Sequence, residues 1–212
     1  MFKRFLQMFG ISAIDQKKKD PVIIVSGLPR SGTSMMMKIL EAGGLPPLTD
    51  NLRVADLDNP EGYYEFERVK KLSEGDIAWL EDTQGKVVKI LAILLFHLPN
   101  TYDYRIIFMR RAMPEILASQ RKMLINRGED PDKISNDEIA RLYEKYFRQA
   151  YTWLNNQPNV EYLDINYNEL VRNPRPQIEE VNKFLGDILD EEKMITVVDP
   201  SLYRQRNQAS HS

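Results

Sequence analysis

The sequence predicts a three-layer α/β fold in which a central parallel sheet is flanked by helices on both faces. The first observation is an alternation of short apolar runs with helical segments, which implies parallel strands joined by right-handed crossovers. The second is the run Val-Ile-Ile-Val at residues 22–25, which is continuous, as in a strand buried on both faces. The third is the length of 212 residues, which suits one domain of this class.

Four apolar runs are predicted as strands, at residues 22–25, 87–91, 105–109 and 160–165. The predicted helices lie at residues 34–42, 114–126, 135–154 and 174–185. Their ends carry the expected signals, because Gly43-Gly44 and Gly186 follow two of them and a capping-box pattern at residues 135–138 opens the longest. Pro174 suits the first turn of the last helix.

Residues 21–212 are predicted to form this domain, with residues 1–20 as an N-terminal amphipathic segment and charged connector. The first fourteen residues place four apolar side chains on one helical face: Phe2, Phe5, Leu6 and Phe9. They match a signal peptide poorly, because polar and glycine residues interrupt the apolar stretch. The favoured interpretation is a terminal helix that packs on the domain or frays, and the alternative is weak contact with a membrane surface.

The composition excludes several classes of function. The 29 basic residues nearly cancel the 31 acidic ones, which argues against a nucleic-acid-binding protein. The absence of cysteine excludes disulfides, thiolate catalysis and cysteine zinc sites, and only His97 and His211 carry an imidazole, so no metal site is predicted. No apolar run approaches the ~20 residues that span a bilayer, and the expected location is the cytoplasm.

The loop after the first strand carries the strongest chemical signal. It reads Gly27-Leu28-Pro29-Arg30-Ser31-Gly32-Thr33-Ser34, and its two glycines have the spacing of a P-loop. Such a loop turns backbone N–H groups inward, while the following helix directs its positive end at an anion. Thr33 stands where nucleoside triphosphatases have lysine, so ATP or GTP hydrolysis is not expected. Arg30 supplies a cation inside the loop instead.

The segment Leu-Pro-Arg-Ser-Gly-Thr-Ser resembles the 5′-phosphosulfate loop of sulfotransferases that use 3′-phosphoadenosine 5′-phosphosulfate (PAPS). It is most similar to the bacterial-type branch with Pro-Arg-Ser-Gly-Thr. The resemblance implies a P-loop-type fold and a loop that holds the 5′-phosphate, with the basic residue stabilising the sulfuryl group. By this match residues 27–34 bind the donor, and Arg30 is also catalytic.

A second stretch resembles the 3′-phosphate site of the same family. The family has an arginine at a strand end and a serine eight residues later, and Arg111 and Ser119 have this spacing. The family's proline two residues after the arginine is replaced by Met113, and Pro114 follows it. Without the first motif, a surface arginine pair followed by a serine inside a helix would explain the same residues. The resemblance implies that both side chains bind the 3′-phosphate.

Weaker matches extend the resemblance over about residues 22–206. Lys89 resembles a lysine on the second strand of cytosolic members, and Leu91 occupies the place of their catalytic histidine. Residues 59–65 resemble an acceptor-side segment and residues 197–206 a basic C-terminal end. Within the latter, Arg204 and Arg206 are predicted to close over the 3′-phosphate, although a tail this polar could equally fray.

Sulfuryl transfer needs a cation at the leaving oxygen and a base at the acceptor. Arg30 and Lys89 are the candidate cations, and no metal is required. Because the family histidine is absent, Glu65 is the candidate base, with Glu61, Asp58 and His97 as alternatives. Some members of the wider family use a glutamate in this role.

The sequence therefore predicts a PAPS-dependent sulfotransferase (EC 2.8.2 type) that acts on a hydroxyl or amine of a small molecule or glycan and releases 3′,5′-ADP. The alternatives are a P-loop nucleotide or small-molecule kinase with a degenerate loop and a non-catalytic binding domain. Residues 45–62 and 126–133 are predicted lids, and neither identifies an acceptor. Trp79 and Trp153 are predicted to be core or interface residues, not an adenine sandwich.

Overall fold

A parallel sheet forms the centre of the molecule. The computed structural model describes residues 20–50, 52 and 62–198, and within them it has four strands in the order β2-β1-β3-β4. The strands are β1 (Val22–Gly27), β2 (Val87–Lys89), β3 (Tyr104–Arg110) and β4 (Val160–Asn166). All three pairings are parallel, as the continuous apolar runs predict.

Helices connect the strands, as the sequence predicts. The α-helices of the described residues are α1 (Thr33–Ala42), α2 (Met113–Asn126), α3 (Asn136–Asn156), α4 (Tyr167–Arg172), α5 (Pro174–Leu185) and α6 (Glu191–Thr196). Three 3₁₀ helices accompany them: Glu67–Glu74, Ala78–Thr83 and Ala92–His97. The predicted caps are confirmed, because Ser135 and Glu138 form a complete capping box and Gly186 ends α5 at φ 100°.

Each face of the sheet carries its own hydrophobic core. One core packs β1, β3 and β4 against α1, α4, α5 and α6, and the other packs the opposite face against α3 and the 3₁₀ helices. Ile24 and Val25, adjacent in β1, belong to different cores, as the alternation of side chains along a strand requires. The three-layer prediction is thus confirmed. Trp79 is fully buried in the second core and Trp153 packs against it, as predicted.

The strand register brings several chain segments to one edge of the sheet. Gly27, the last residue of β1, pairs with Met109, and Arg110 at the end of β3 pairs with Asn166. The chain moves from β1 to β2 on one side and then returns to β3 on the other, so the switch point of the topology lies between β1 and β3. Ligands of open α/β sheets bind at the carboxyl edge beside such a point.

The structure departs from the predicted elements in places. The strand predicted at residues 87–91 ends at Lys89, because the following residues turn into the 3₁₀ helix Ala92–His97. The 3₁₀ helices, α4 and α6 were not predicted. The predictions on residues 1–19, on Asp58 and Glu61, and on Arg204 and Arg206 lie outside the described residues. Within the described part of the chain, no helix combines the length and the apolar character that a membrane span needs.

Candidate active site

The loop between β1 and α1 has an unusual backbone. Three of its residues have positive φ angles: Gly27 at 148°, Arg30 at 67° and Gly32 at 101°. Ser31 N donates to the Leu28 carbonyl at 3.2 Å, which closes a turn inside the loop, and α1 begins directly after Gly32. The first N–H groups of a helix have no partner within the helix, so the positive end of α1 borders this loop.

The two loop glycines are required by space as well as by φ. A Cβ on Gly32 would lie 2.3 Å from Cδ2 of Tyr167, and one on Gly27 would lie 2.8 Å from the Met109 carbonyl oxygen. Both distances are far below van der Waals contact, so neither glycine can carry a Cβ without a shift of its neighbours. The loop backbone therefore packs directly against β3 and α4. The P-loop spacing predicts the glycines, whereas the packing of Tyr167 on Gly32 was not predicted.

Ser31 is buried inside the loop, with 1% of its surface exposed. Its Oγ has no hydrogen-bond partner among the described residues. A buried hydroxyl without a partner is uncommon, since its desolvation is not compensated. The hydroxyl can therefore accept or donate a hydrogen bond to a ligand oxygen that enters the loop.

The structure brings the two predicted phosphate elements together. Arg30 Nε donates to Ser119 Oγ at 2.9 Å, across 89 residues of sequence. Arg111 Nη1 donates to the Arg30 carbonyl at 3.1 Å, across 81 residues. Two guanidinium groups and one hydroxyl thus meet beside the loop, at the switch point between β1 and β3.

Arg111 is held firmly in this position. Its side chain is 7% exposed, its Nε donates to Glu115 Oε2 at 3.0 Å, and its guanidinium lies 4.4 Å from the centre of the Tyr167 ring. Glu115 also accepts from Asn168 Nδ2 at 2.8 Å. Glu115, Tyr167 and Asn168 were not predicted as site residues. The available signal was the four-residue separation of Arg111 and Glu115, with Arg111 just before α2 and Glu115 in its first turn.

Lys89 approaches the loop from the other side of β1, since β2 and β3 flank that strand. Its Nζ lies 3.4 Å from Ser34 Oγ and also donates to the Tyr63 carbonyl. This ammonium group therefore lies at the first turn of α1, on the opposite side of the loop from Arg111. Leu91, where the family histidine would stand, follows the end of β2.

The candidate bases occupy different surroundings. Tyr63, which accepts from Lys89, is two residues from Glu65, so the segment with Glu65 runs along the Lys89 side of the site. The Glu65 carboxylate lies 3.6 Å from Lys70 Nζ. His97 is exposed at the end of a 3₁₀ helix, with its ring 5.0 Å from that of Phe96. The other two candidates fall outside the described residues.

Buried groups from α2 and α3 support the loop from one side. Leu28 packs in a small core with Ile116 and Tyr143, which fixes the start of the loop on these helices. Burial raises the pKa of the Tyr143 phenol, and the nearby Arg30 charge partly opposes this. Burial likewise raises the pKa of Tyr167. Both phenols are therefore neutral at physiological pH.

A polar cleft of about 700 Å³ opens beside Arg111, at the carboxyl ends of β3 and β4. Basic, acidic and amide side chains line it, including Arg110, Asp164, Asn168, Glu169 and Arg172. Among the residues that the structure describes, no group of three or more histidine, aspartate and glutamate residues is arranged to hold a metal ion.

Comparisons with known proteins agree with this fold. A family model described as a sulfotransferase domain matches residues 20–208. The sulfotransferase domain of the Synechococcus PCC 7002 olefin synthase is 19% identical, with a TM-score of 0.53 over 92% of this chain and 91% of that one. The sulfotransferase domain from the curacin biosynthetic pathway is 17% identical, with a TM-score of 0.50 over 86% and 79%. These two structures share the fold. No curated protein matches the chain.

Proposed function

The chain belongs to the sulfotransferase family and is an enzyme of that class, and from this premise we propose how its site works. The reaction transfers a sulfuryl group from PAPS to a hydroxyl or amine acceptor and releases 3′,5′-ADP. The observation that carries this proposal is the meeting of Arg30, Arg111 and Ser119 beside the loop of residues 27–34. PAPS has a phosphate-type group at each end of its ribose, and the site offers hydrogen-bond donors for two such groups.

The proposal assigns the donor-binding residues as follows. The 5′-phosphosulfate is held by Gly27, Leu28, Pro29, Arg30, Ser31, Gly32, Thr33 and Ser34. Three features support this part: the left-handed turns, the first N–H groups of α1, and the buried Ser31 hydroxyl. Arg111 and Ser119 take the 3′-phosphate, and Arg204 and Arg206 close over it from the C-terminal segment.

The chemistry breaks the bond between sulfur and the bridging phosphate oxygen and forms one between sulfur and the acceptor atom. Arg30 and Lys89 stabilise the charge that grows on the leaving oxygen, so the step needs no metal. The position of Lys89 beside Ser34 supports its part. Glu65 takes the acceptor proton, with Glu61, Asp58 and His97 as the alternatives that mutagenesis must compare.

The acceptor is proposed to be a small molecule or glycan and the location the cytoplasm. Residues 21–212 are proposed as the catalytic domain and residues 1–20 as an appendage to it.

A thermal-shift panel tests the proposal. We expect 3′,5′-ADP to stabilise the protein in the presence of EDTA, and ATP with Mg²⁺ to have no effect. At a ligand concentration 100 times the dissociation constant, binding adds about 2.7 kcal/mol, which raises the Tm by roughly 5–10 °C in a chain of this size. Stabilisation by ATP with Mg²⁺ and not by 3′,5′-ADP would support a kinase and overturn the proposal.

A further inference from the structure

Glu115 is a carboxylate buried almost completely in the first turn of α2, with 2% of its side chain exposed. Its two oxygens accept from different elements: Oε2 from Arg111 Nε at 3.0 Å, and Oε1 from Asn168 Nδ2 in α4 at 2.8 Å. Removing a charged carboxylate from water costs several kcal/mol, which good geometry and additional hydrogen bonds must offset. Both conditions are met here, since each oxygen has a partner at hydrogen-bond distance.

The contacts of Arg111 leave part of its guanidinium for a ligand. The group has five N–H donors in a rigid fork. Within the described residues, Arg111 Nε donates to Glu115 and one Nη1 hydrogen is donated to the Arg30 carbonyl. The guanidinium carbon lies 4.4 Å from the centre of the Tyr167 ring. The remaining donors suit a phosphate oxygen.

We propose that Glu115 is a positioning residue: it fixes the Arg111 guanidinium against the phosphate loop before the donor nucleotide binds. This inference rests on the proposed function, in which Arg111 binds the 3′-phosphate. A free arginine side chain loses up to about 2 kcal/mol of rotamer entropy when it is immobilised. Because Glu115 already holds Arg111 in the folded protein, this entropy loss does not reduce the free energy of donor binding.

Charge alone predicts the opposite effect, which makes the proposal testable. A carboxylate close to a phosphate repels it, so removing Glu115 would tighten nucleotide binding if the side chain acted only through its charge. If it acts by holding Arg111, its removal weakens binding. Glu115→Gln separates the two further, because an amide oxygen can still accept from Arg111 but has lost the charge.

The experiment measures the dissociation constants of 3′,5′-ADP and 5′-AMP by calorimetry for six proteins. These are the unchanged chain, Glu115→Ala, Glu115→Gln, Arg111→Ala, the double variant with Glu115→Ala and Arg111→Ala, and the control Glu161→Ala. We expect Arg111→Ala and Glu115→Ala each to weaken 3′,5′-ADP binding by about tenfold or more. The double variant should be no weaker than Arg111→Ala, because Glu115 acts through Arg111. Binding of 5′-AMP, which lacks the 3′-phosphate, should change less than twofold. Glu115→Gln should lie between the unchanged chain and Glu115→Ala.

Glu161→Ala is the matched control, since Glu161 pairs with Arg105 on the surface at 3.3 Å and should leave both constants unchanged. If Arg111→Ala leaves 3′,5′-ADP binding unchanged, the donor assignment of the proposed function is wrong. If Arg111→Ala weakens binding but Glu115→Ala tightens it, has no effect, or adds its full effect in the double variant, the role of Glu115 is wrong. Should Glu115→Ala fail to fold, Glu115→Gln replaces it in the cycle: it should weaken 3′,5′-ADP binding in the unchanged chain and have no effect in Arg111→Ala, and any other result would overturn the role of Glu115.

Discussion

Arg30 and Arg111 both lie beside the phosphate loop, but their surroundings differ. Arg30 is part of the loop, has a φ of 67°, and reaches Ser119 through its side chain. Arg111 is fixed on three sides by Glu115, the Arg30 carbonyl and Tyr167. Under the proposed function, Arg111, which is fixed before binding, contributes to donor affinity, whereas Arg30, within the loop, lies where charge develops during transfer.

This difference predicts distinct kinetic effects for the two arginines. Arg30→Ala should lower kcat by about 100-fold, the usual loss when one stabilising donor is removed, with a smaller change in donor KM. Arg111→Ala should raise donor KM by about tenfold or more and change kcat less. Steady-state assays with PAPS as the varied substrate measure both. Arg105→Ala, at an exposed ion pair, serves as the control. Equal losses confined to kcat in both variants would contradict this assignment.

Gly32 is predicted to be hard to replace, because of both its φ angle and the space around it. An alanine there must adopt a φ of 101° and place its Cβ 2.3 Å from the Tyr167 ring. Gly186 has a φ of 100° but nothing within 4 Å of its Cβ position, so Gly186→Ala measures the backbone cost alone, about 1–2 kcal/mol. Gly32→Ala should cost about 1–3 kcal/mol more in the free energy of unfolding.

Urea unfolding of both variants gives the comparison, and 3′,5′-ADP titration should show weakened binding only for Gly32→Ala. Equal unfolding free energies for the two variants would mean that the Tyr167 ring moves aside without cost.

The candidate-site residues that the sequence predicts are those set by local spacing, and their roles stay predictions. The glycines, Arg30, and the pair Arg111 and Ser119 follow fixed intervals along the chain, so pattern alone could find them. Glu115 and Tyr167 enter the site through tertiary contacts that span α2, α4 and the loop. No interval in the sequence encodes such contacts, although the four-residue separation of Arg111 and Glu115 across the start of α2 was a visible hint.

At the level of elements, the sequence predicted those strands and helices that have a clear apolar pattern or an end signal. The four strands and the longer helices have apolar periodicity and end signals, and the structure confirms them within a few residues. The 3₁₀ helices are too short to show a period, and α4 has only six residues. The start of α4 nevertheless has a recognised sequence signal, an asparagine at the N-cap position. In the structure Asn166 Oδ1 accepts from the backbone N–H groups of Asn168 and Glu169.

The longest helix allows a direct test of its capping box. Ser135 Oγ accepts from Glu138 N at 3.3 Å, and Glu138 Oε2 accepts from Ser135 N at 3.0 Å. Ser135→Ala should therefore lower the free energy of unfolding by about 1 kcal/mol, or the Tm by roughly 2–4 °C. Ser73→Ala, at an exposed position, should stay within about 0.5 kcal/mol.

Because α3 packs on the face of the sheet and its cap lies at the surface, neither serine variant should change 3′,5′-ADP binding. A lower nucleotide affinity for Ser135→Ala would show that the start of α3 takes part in the site.

For the whole molecule, topology concentrates positive charge that the composition hides. The 29 basic and 31 acidic residues leave a net charge of −2, which argues against binding long polyanions. Yet the order β2-β1-β3-β4 places Lys89 and Arg111 on opposite sides of the loop that holds Arg30. Under the proposed function, a small donor with several negative charges can therefore bind tightly to a protein with no overall basic excess.

The same packing predicts how stability responds to alkaline pH. Tyr104 is 1% exposed in the core, with its hydroxyl donating to the Pro99 carbonyl at 2.7 Å, and burial raises the pKa of its phenol far above the ordinary value of about 10. The unfolded chain loses this proton as the pH passes about 10, whereas the folded chain keeps it. The unfolded state then binds fewer protons, so the free energy of unfolding falls with rising pH.

Tyr151 adds to this effect, because burial and its hydrogen bond to Asp164 raise its pKa as well. We expect stability to be constant just below pH ~10 and to decrease above it, as measured by urea unfolding at several pH values.

Tyr104→Phe keeps the ring but loses the hydrogen bond, so it should be less stable by about 1 kcal/mol at neutral pH. Since the variant has no phenol at this position, its stability falls less steeply above pH ~10, and the two curves converge. Parallel curves across the alkaline range would show that the buried phenol of Tyr104 does not control this dependence.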